Sequence, residues 1–185
     1  MHKAIPAILV PLLLIPPVLA NAEGKPGAFR QQQKEKLKAH HQDQKAENGA
    51  FRKDLKDLPP EQRSKAIKEH REEQHQENGA YRKRIHEGNL SYLKSKLEKN
   101  TKLTEAQKEE LINLYEGQFQ ERVNLRDKQY QENTAFFESI ANDPNLTQEQ
   151  KKIAIKEHRE KQKEARKAIR EEQKSERKEL KESNK

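Results

Sequence analysis

The sequence contains no cysteine, no tryptophan and a single methionine. Without cysteine there is no disulfide framework and no thiol chemistry. Aromatic residues make up 5% of the chain and hydrophobic residues 30%, against 38% charged residues. Much of the apolar content sits in the first 22 residues, so the remainder cannot build a thick core. Also missing are a glycine-rich phosphate loop after a strand, a serine nucleophile elbow and a His-Glu-x-x-His pair. The expectation is therefore a protein that is not an enzyme and takes no cofactor. Beyond residue 22 no apolar run approaches the roughly 20 residues needed to cross a bilayer.

The apolar residues that are present are concentrated at the start. Met1-His2-Lys3 precedes an apolar run from Ala4 to Ala20, and Ala20-Asn21-Ala22 has the small-x-small pattern of a signal-peptidase site. Pro6, Pro11, Pro16 and Pro17 interrupt the run, which suits a cleaved signal better than a membrane anchor. Residues 1–22 are expected to be removed, leaving a soluble exported chain with no stable membrane insertion. The formal net charge of the whole chain is +8. In an exported protein that charge suits acidic or unfolded polypeptides and anionic surfaces, and nucleic acid is not an expected partner.

Residues 23–27 read as a flexible lead-in. Four helices follow, at about 28–57, 60–99, 104–141 and 147–182, with residues 183–185 a frayed tail. Together 28–182 are expected to form one elongated all-α domain of long antiparallel helical hairpins with a thin core. Mixed charge signs and helical apolar spacing argue against disorder. In the third helix Ile112, Tyr115, Phe119 and Val123 step by three or four, and Tyr130, Phe137 and Ile140 continue that face. In the fourth, Ile155, His158, Gln162, Ala165 and Ile169 have a heptad-like spacing that suggests a coiled coil.

The chain repeats itself. Glu47-Asn48-Gly49-Ala50-Phe51 recurs as Glu77-Asn78-Gly79-Ala80-Tyr81 and as Glu132-Asn133-Thr134-Ala135-Phe136. Ala66-Ile67-Lys68-Glu69-His70-Arg71-Glu72 recurs unchanged as residues 154–160. This suggests a duplicated helical hairpin. Thr134 stands where Gly49 and Gly79 stand. Threonine does not tolerate positive φ, so all three copies should be helical, and the glycines would serve close approach of another helix or bending.

Leu103-Thr104-Glu105-Ala106-Gln107 and Leu146-Thr147-Gln148-Glu149-Gln150 share the pattern Leu-Thr-x-x-Gln. Each reads as a capping box, the threonine hydroxyl accepting from the backbone three residues on and the glutamine returning to the threonine N–H. Two such motifs about forty residues apart in a small exported helical protein resemble the Spy/CpxP family of periplasmic proteins. The resemblance covers roughly residues 58–163, with Leu103, Thr104, Gln107, Leu146, Thr147 and Gln150 as the motif residues. It implies a cradle-shaped homodimer of long helices that binds unfolded or misfolded polypeptides without ATP. In some relatives it implies stress-signal dampening or metal binding. Leu58-Pro59-Pro60-Glu61-Gln62 lacks the threonine.

Phe51 beside Arg52-Lys53, and Tyr81 beside Arg82-Lys83, are the candidate client-binding residues, with the thin core as their alternative place. The repeat-equivalent His70 and His158 are the candidates for a metal ligand, but the histidines are expected to be solvated and to bind no metal. A periplasmic metal-responsive sensor or buffer, and a structural helix-rich protein that binds the envelope, are the alternative functions.

Overall fold

The computed structural model describes residues 26–184, so the expected signal segment, residues 23–25 and Lys185 lie outside the described residues. Those residues form α1 (Pro26–Asp57), α2 (Pro60–Glu98), α3 (Glu105–Asn142) and α4 (Gln148–Ser183), and no strand occurs among them. The all-α class and the helical hairpins are as expected. Pro26 and Gly27, expected in the lead-in, are instead the first residues of α1, where proline's fixed φ suits a helix start. α2 runs through Gly88-Asn89 without a break.

The chain divides into two compact units, Met1–Ala46 and Glu47–Lys185. In the first, the described residues are the N-terminal part of α1. It is a charged helix in which Gln31 Nε2 donates to Glu35 Oε1 at 2.8 Å across one turn. The second unit holds the rest of α1 and the other three helices. There α2 packs on α3, and α3 on α4.

Where each helix begins follows from local chemistry. Thr104 and Thr147 are extended N-caps whose hydroxyls accept from Gln107 N and Gln150 N, each at 3.2 Å. The glutamine side chains return to Thr104 N at 2.9 Å and Thr147 N at 2.8 Å, completing both capping boxes. Leu103 and Leu146 are half-buried beside them. α2 begins differently. Pro59 is its N-cap with no side-chain bond, and Pro60 supplies the pre-set first turn. Arg63 closes this break by donating from Nε to Leu58 O at 2.9 Å and from Nη2 to Lys56 O at 3.1 Å, which satisfies carbonyls at the end of α1.

Gly49 and Gly79 are helical, as Thr134 required, but neither permits close approach. A Cβ added at either would meet nothing within 4 Å.

Among the described residues the buried apolar ones are Leu97, Ile140 and Leu180, and four glutamines are also buried: Gln118, Gln129, Gln162 and Gln173. The core is thin, as composition requires, and largely polar.

Candidate functional site

The second unit is organised by repeated side-chain layers. In the first copy of the duplicated block, His70 stacks on Phe51 with ring centroids 3.9 Å apart, and its Nε2 lies 3.0 Å from Asn48 Oδ1. In the second, His158 stacks on Phe136 at 3.9 Å, with Nε2 2.7 Å from Asn133 Oδ1. One turn on, Gln74 Nε2 donates to Glu47 Oε2 at 2.9 Å and Gln162 Nε2 to Glu132 Oε2 at 2.6 Å. The repeat is therefore a repeat of contacts, with Glu-Asn-x-Ala-Phe on one helix meeting His-Arg-Glu-x-Gln on the next. Because an amide oxygen only accepts, the histidine in each pair donates from Nε2.

The expectation of solvated histidines does not hold at these positions. His70 and His158 are half-buried between a ring and an amide. His75 stacks on Tyr130 at 4.0 Å with its Nε2 3.2 Å from Asp127 Oδ1, and His86 lies 3.7 Å from Phe119 and 5.0 Å from Tyr115. Burial lowers the His86 pKa below the usual histidine value. The Tyr130 hydroxyl donates to Glu72 at 2.5 Å, and that bond is the main cause of a lowered Glu72 pKa. Among the described residues no group of three or more histidines or carboxylates converges as a metal site would require.

These pairs show the antiparallel register directly. As the number rises from His75 to His86 on α2, it falls from Tyr130 to Phe119 on α3, by eleven residues in each case. The α3–α4 seam has the same period. Gln129 Nε2 donates to Gln162 O at 2.8 Å, and three turns away Gln118 Nε2 donates to Gln173 O at 2.9 Å. Arg166 Nη1 donates to Gln129 Oε1 at 2.9 Å, and Arg177 Nη1 donates in the same way to Gln118 Oε1. An eleven-residue period is 3.67 residues per turn and favours right-handed coiling. That corrects the heptad-like reading of α4, and with it Ala165, which is exposed while Arg166 reaches across.

The two glutamine layers differ in their further partners: Gln118 Nε2 also donates to Glu176 Oε2 at 2.8 Å, where Ala165 holds the equivalent place in the other layer. Gln173 Oε1 accepts from Arg122 Nη1 at 2.6 Å. Asn133 occupies the equivalent position in the other layer and is bonded to His158, so Gln162 Oε1 is buried without a partner.

The sequence singled out Phe51, His70, His158 and the capping residues. It includes Gln162 in the seam of α4 but misses Gln118, Gln129, Gln173 and the arginines that bond these glutamines. Their signal was the eleven-residue spacing, visible between His75 and His86 but hidden elsewhere because glutamine does not register in an apolar pattern.

Of the candidate client-binding residues, Phe51 and Tyr81 are half-buried, Arg82 is half-buried, and Arg52, Lys53 and Lys83 are exposed. Burial raises the Tyr81 pKa and lowers that of Arg82. Two other apolar side chains stand further out: Leu37 is 49% exposed and Ile153 53%. Leu37 lies between Lys36 and Lys38, and Ile153 follows Lys151-Lys152. Comparison with protein-family models, with curated proteins and with solved structures returned no match.

Proposed function

We propose that the mature chain is a periplasmic, ATP-independent chaperone of the Spy/CpxP type, a homodimer that holds unfolded or misfolded polypeptides. The observation that carries this reading is the exposure of Leu37 and Ile153 among lysines. Helices that pack through glutamine, histidine and arginine layers do not need those apolar side chains for their own stability. Positive charge steers an unfolded chain inward over several ångströms, and small apolar contacts then hold it weakly. The two Leu-Thr-x-x-Gln capping boxes add the family's motif.

Phe51 is a poorer client contact than its basic neighbours suggest, because its face is taken by His70. Light scattering from a denatured client tests the proposal. Folded protein in several-fold excess at low salt is expected to suppress aggregation without ATP. Leu37→Ser with Ile153→Ser is expected to weaken suppression while leaving the helical circular dichroism unchanged. Unchanged aggregation of several unrelated clients in the presence of wild-type protein would end the proposal.

A further inference from the structure

The repeats converge on one place in the second unit. A cleft of about 570 Å³ is lined by residues of all four helices. Asn48, Asn78 and Asn133, the equivalent asparagines of all three Glu-Asn-x-Ala copies, line it. So do Arg71 and Arg159, the equivalent arginines of both Glu-His-Arg-Glu copies, and Arg82 joins them from α2. No carboxylate is among the lining residues. Its size falls in the range of about 300–1,000 Å³ typical of small-molecule sites.

The three guanidiniums are not consumed by the fold. Among the described residues none of them makes a salt bridge, and Arg71 is held by its position 5.7 Å from the Phe137 ring centroid. Two acids near them have partners of their own: Asp127 faces His75 and Glu72 accepts from Tyr130. Burial is the main cause of a lowered pKa at Arg82 and at Arg126, and the Asp127 carboxylate acts against it at both.

We propose that this cleft binds a small phosphate-bearing anion, held by Arg71, Arg82 and Arg159. A carboxylate offers two oxygens, whereas a phosphate or pyrophosphate group offers three or more and can engage guanidinium forks from several directions. The inference does not rest on the chaperone reading, which is carried by Leu37 and Ile153, neither of which lines the cleft.

Calorimetric titration of the full mature protein with pyrophosphate, and with acetate and chloride at matched ionic strength, tests it. Saturable binding of pyrophosphate alone is expected. Arg159 is exposed, so Arg159→Gln keeps the fold, and losing one charge-assisted contact is expected to weaken binding by roughly tenfold. Arg52→Gln with Lys53→Gln, outside the cleft, is expected to bind as wild type does. Sedimentation with phosphatidylglycerol vesicles separates the sources. Co-sedimentation lost in Arg159→Gln identifies a lipid headgroup, and pyrophosphate binding without co-sedimentation identifies a free anion. Equal effects of pyrophosphate and chloride, or an Arg159→Gln protein that is folded by circular dichroism and binds as tightly as wild type, would overturn the proposal.

Discussion

Buried glutamines are costly unless their amides are satisfied, and here one residue answers another across a helix pair. Gln173 donates to Gln118 O at 2.9 Å and to Glu121 at 2.8 Å, and accepts from Arg122. Gln173→Leu strands all three partners and is expected to cost about 1–3 kcal/mol. Gln162→Leu loses the bond to Glu132 and removes an oxygen that had no partner, so it is expected to cost less. Urea melts of the two variants check the order, and equal or reversed costs would refute the layer description. His86 gives a pH dependence whose sign follows from burial. Its folded pKa is lowered, so its stabilising contribution is present above the unfolded value of about 6.5 and is lost as pH falls through the folded value. Wild type is expected to lose more stability between pH 7 and pH 5 than His86→Phe, which keeps a ring against Phe119. The same loss in both would remove His86 from this role.

At the scale of the helices, much was legible from the sequence. Prolines at 59 and 60 and the paired Leu-Thr-x-x-Gln motifs mark helix starts through chemistry that acts within a turn, so it survives any tertiary arrangement. Thr104→Ala and Thr147→Ala are each expected to cost about 1 kcal/mol in denaturant melts, because each removes the acceptor for a backbone donor. No change in either would show the boxes to be incidental. The faces of the helices were harder to read. The apolar spacing points to Ala165 and passes over Arg166, because such a pattern cannot detect an interface made by amides and guanidiniums. The burial of the histidines is hidden from the sequence for a related reason. Solvation is the ordinary state of a histidine in a charged helix, and only the partner helix supplies the ring and the amide that bury His70 and His158. The repeat itself pointed to their equivalence, and the structure supplies its content as a repeated set of contacts.

At the scale of the molecule, the polar seam and the basic surface belong to one economy of residues. A chain with 30% hydrophobic and 38% charged residues holds its helices together with hydrogen-bonded layers and leaves lysine-flanked Leu37 and Ile153 outside. The cleft shared by the repeats adds a place where positive charge is gathered. If capture of clients begins with electrostatic steering, its rate must follow the screening length, which shrinks from about 10 Å at 0.1 M salt to about 3 Å at 1 M. The measurement that tests this most directly is the stopped-flow rate of capture of a denatured client by a chain beginning at Glu23 across that range of salt. The account predicts rapid capture at low salt and a rate that falls steeply as salt rises. A rate independent of salt, or no capture at low salt by the folded protein, would contradict it.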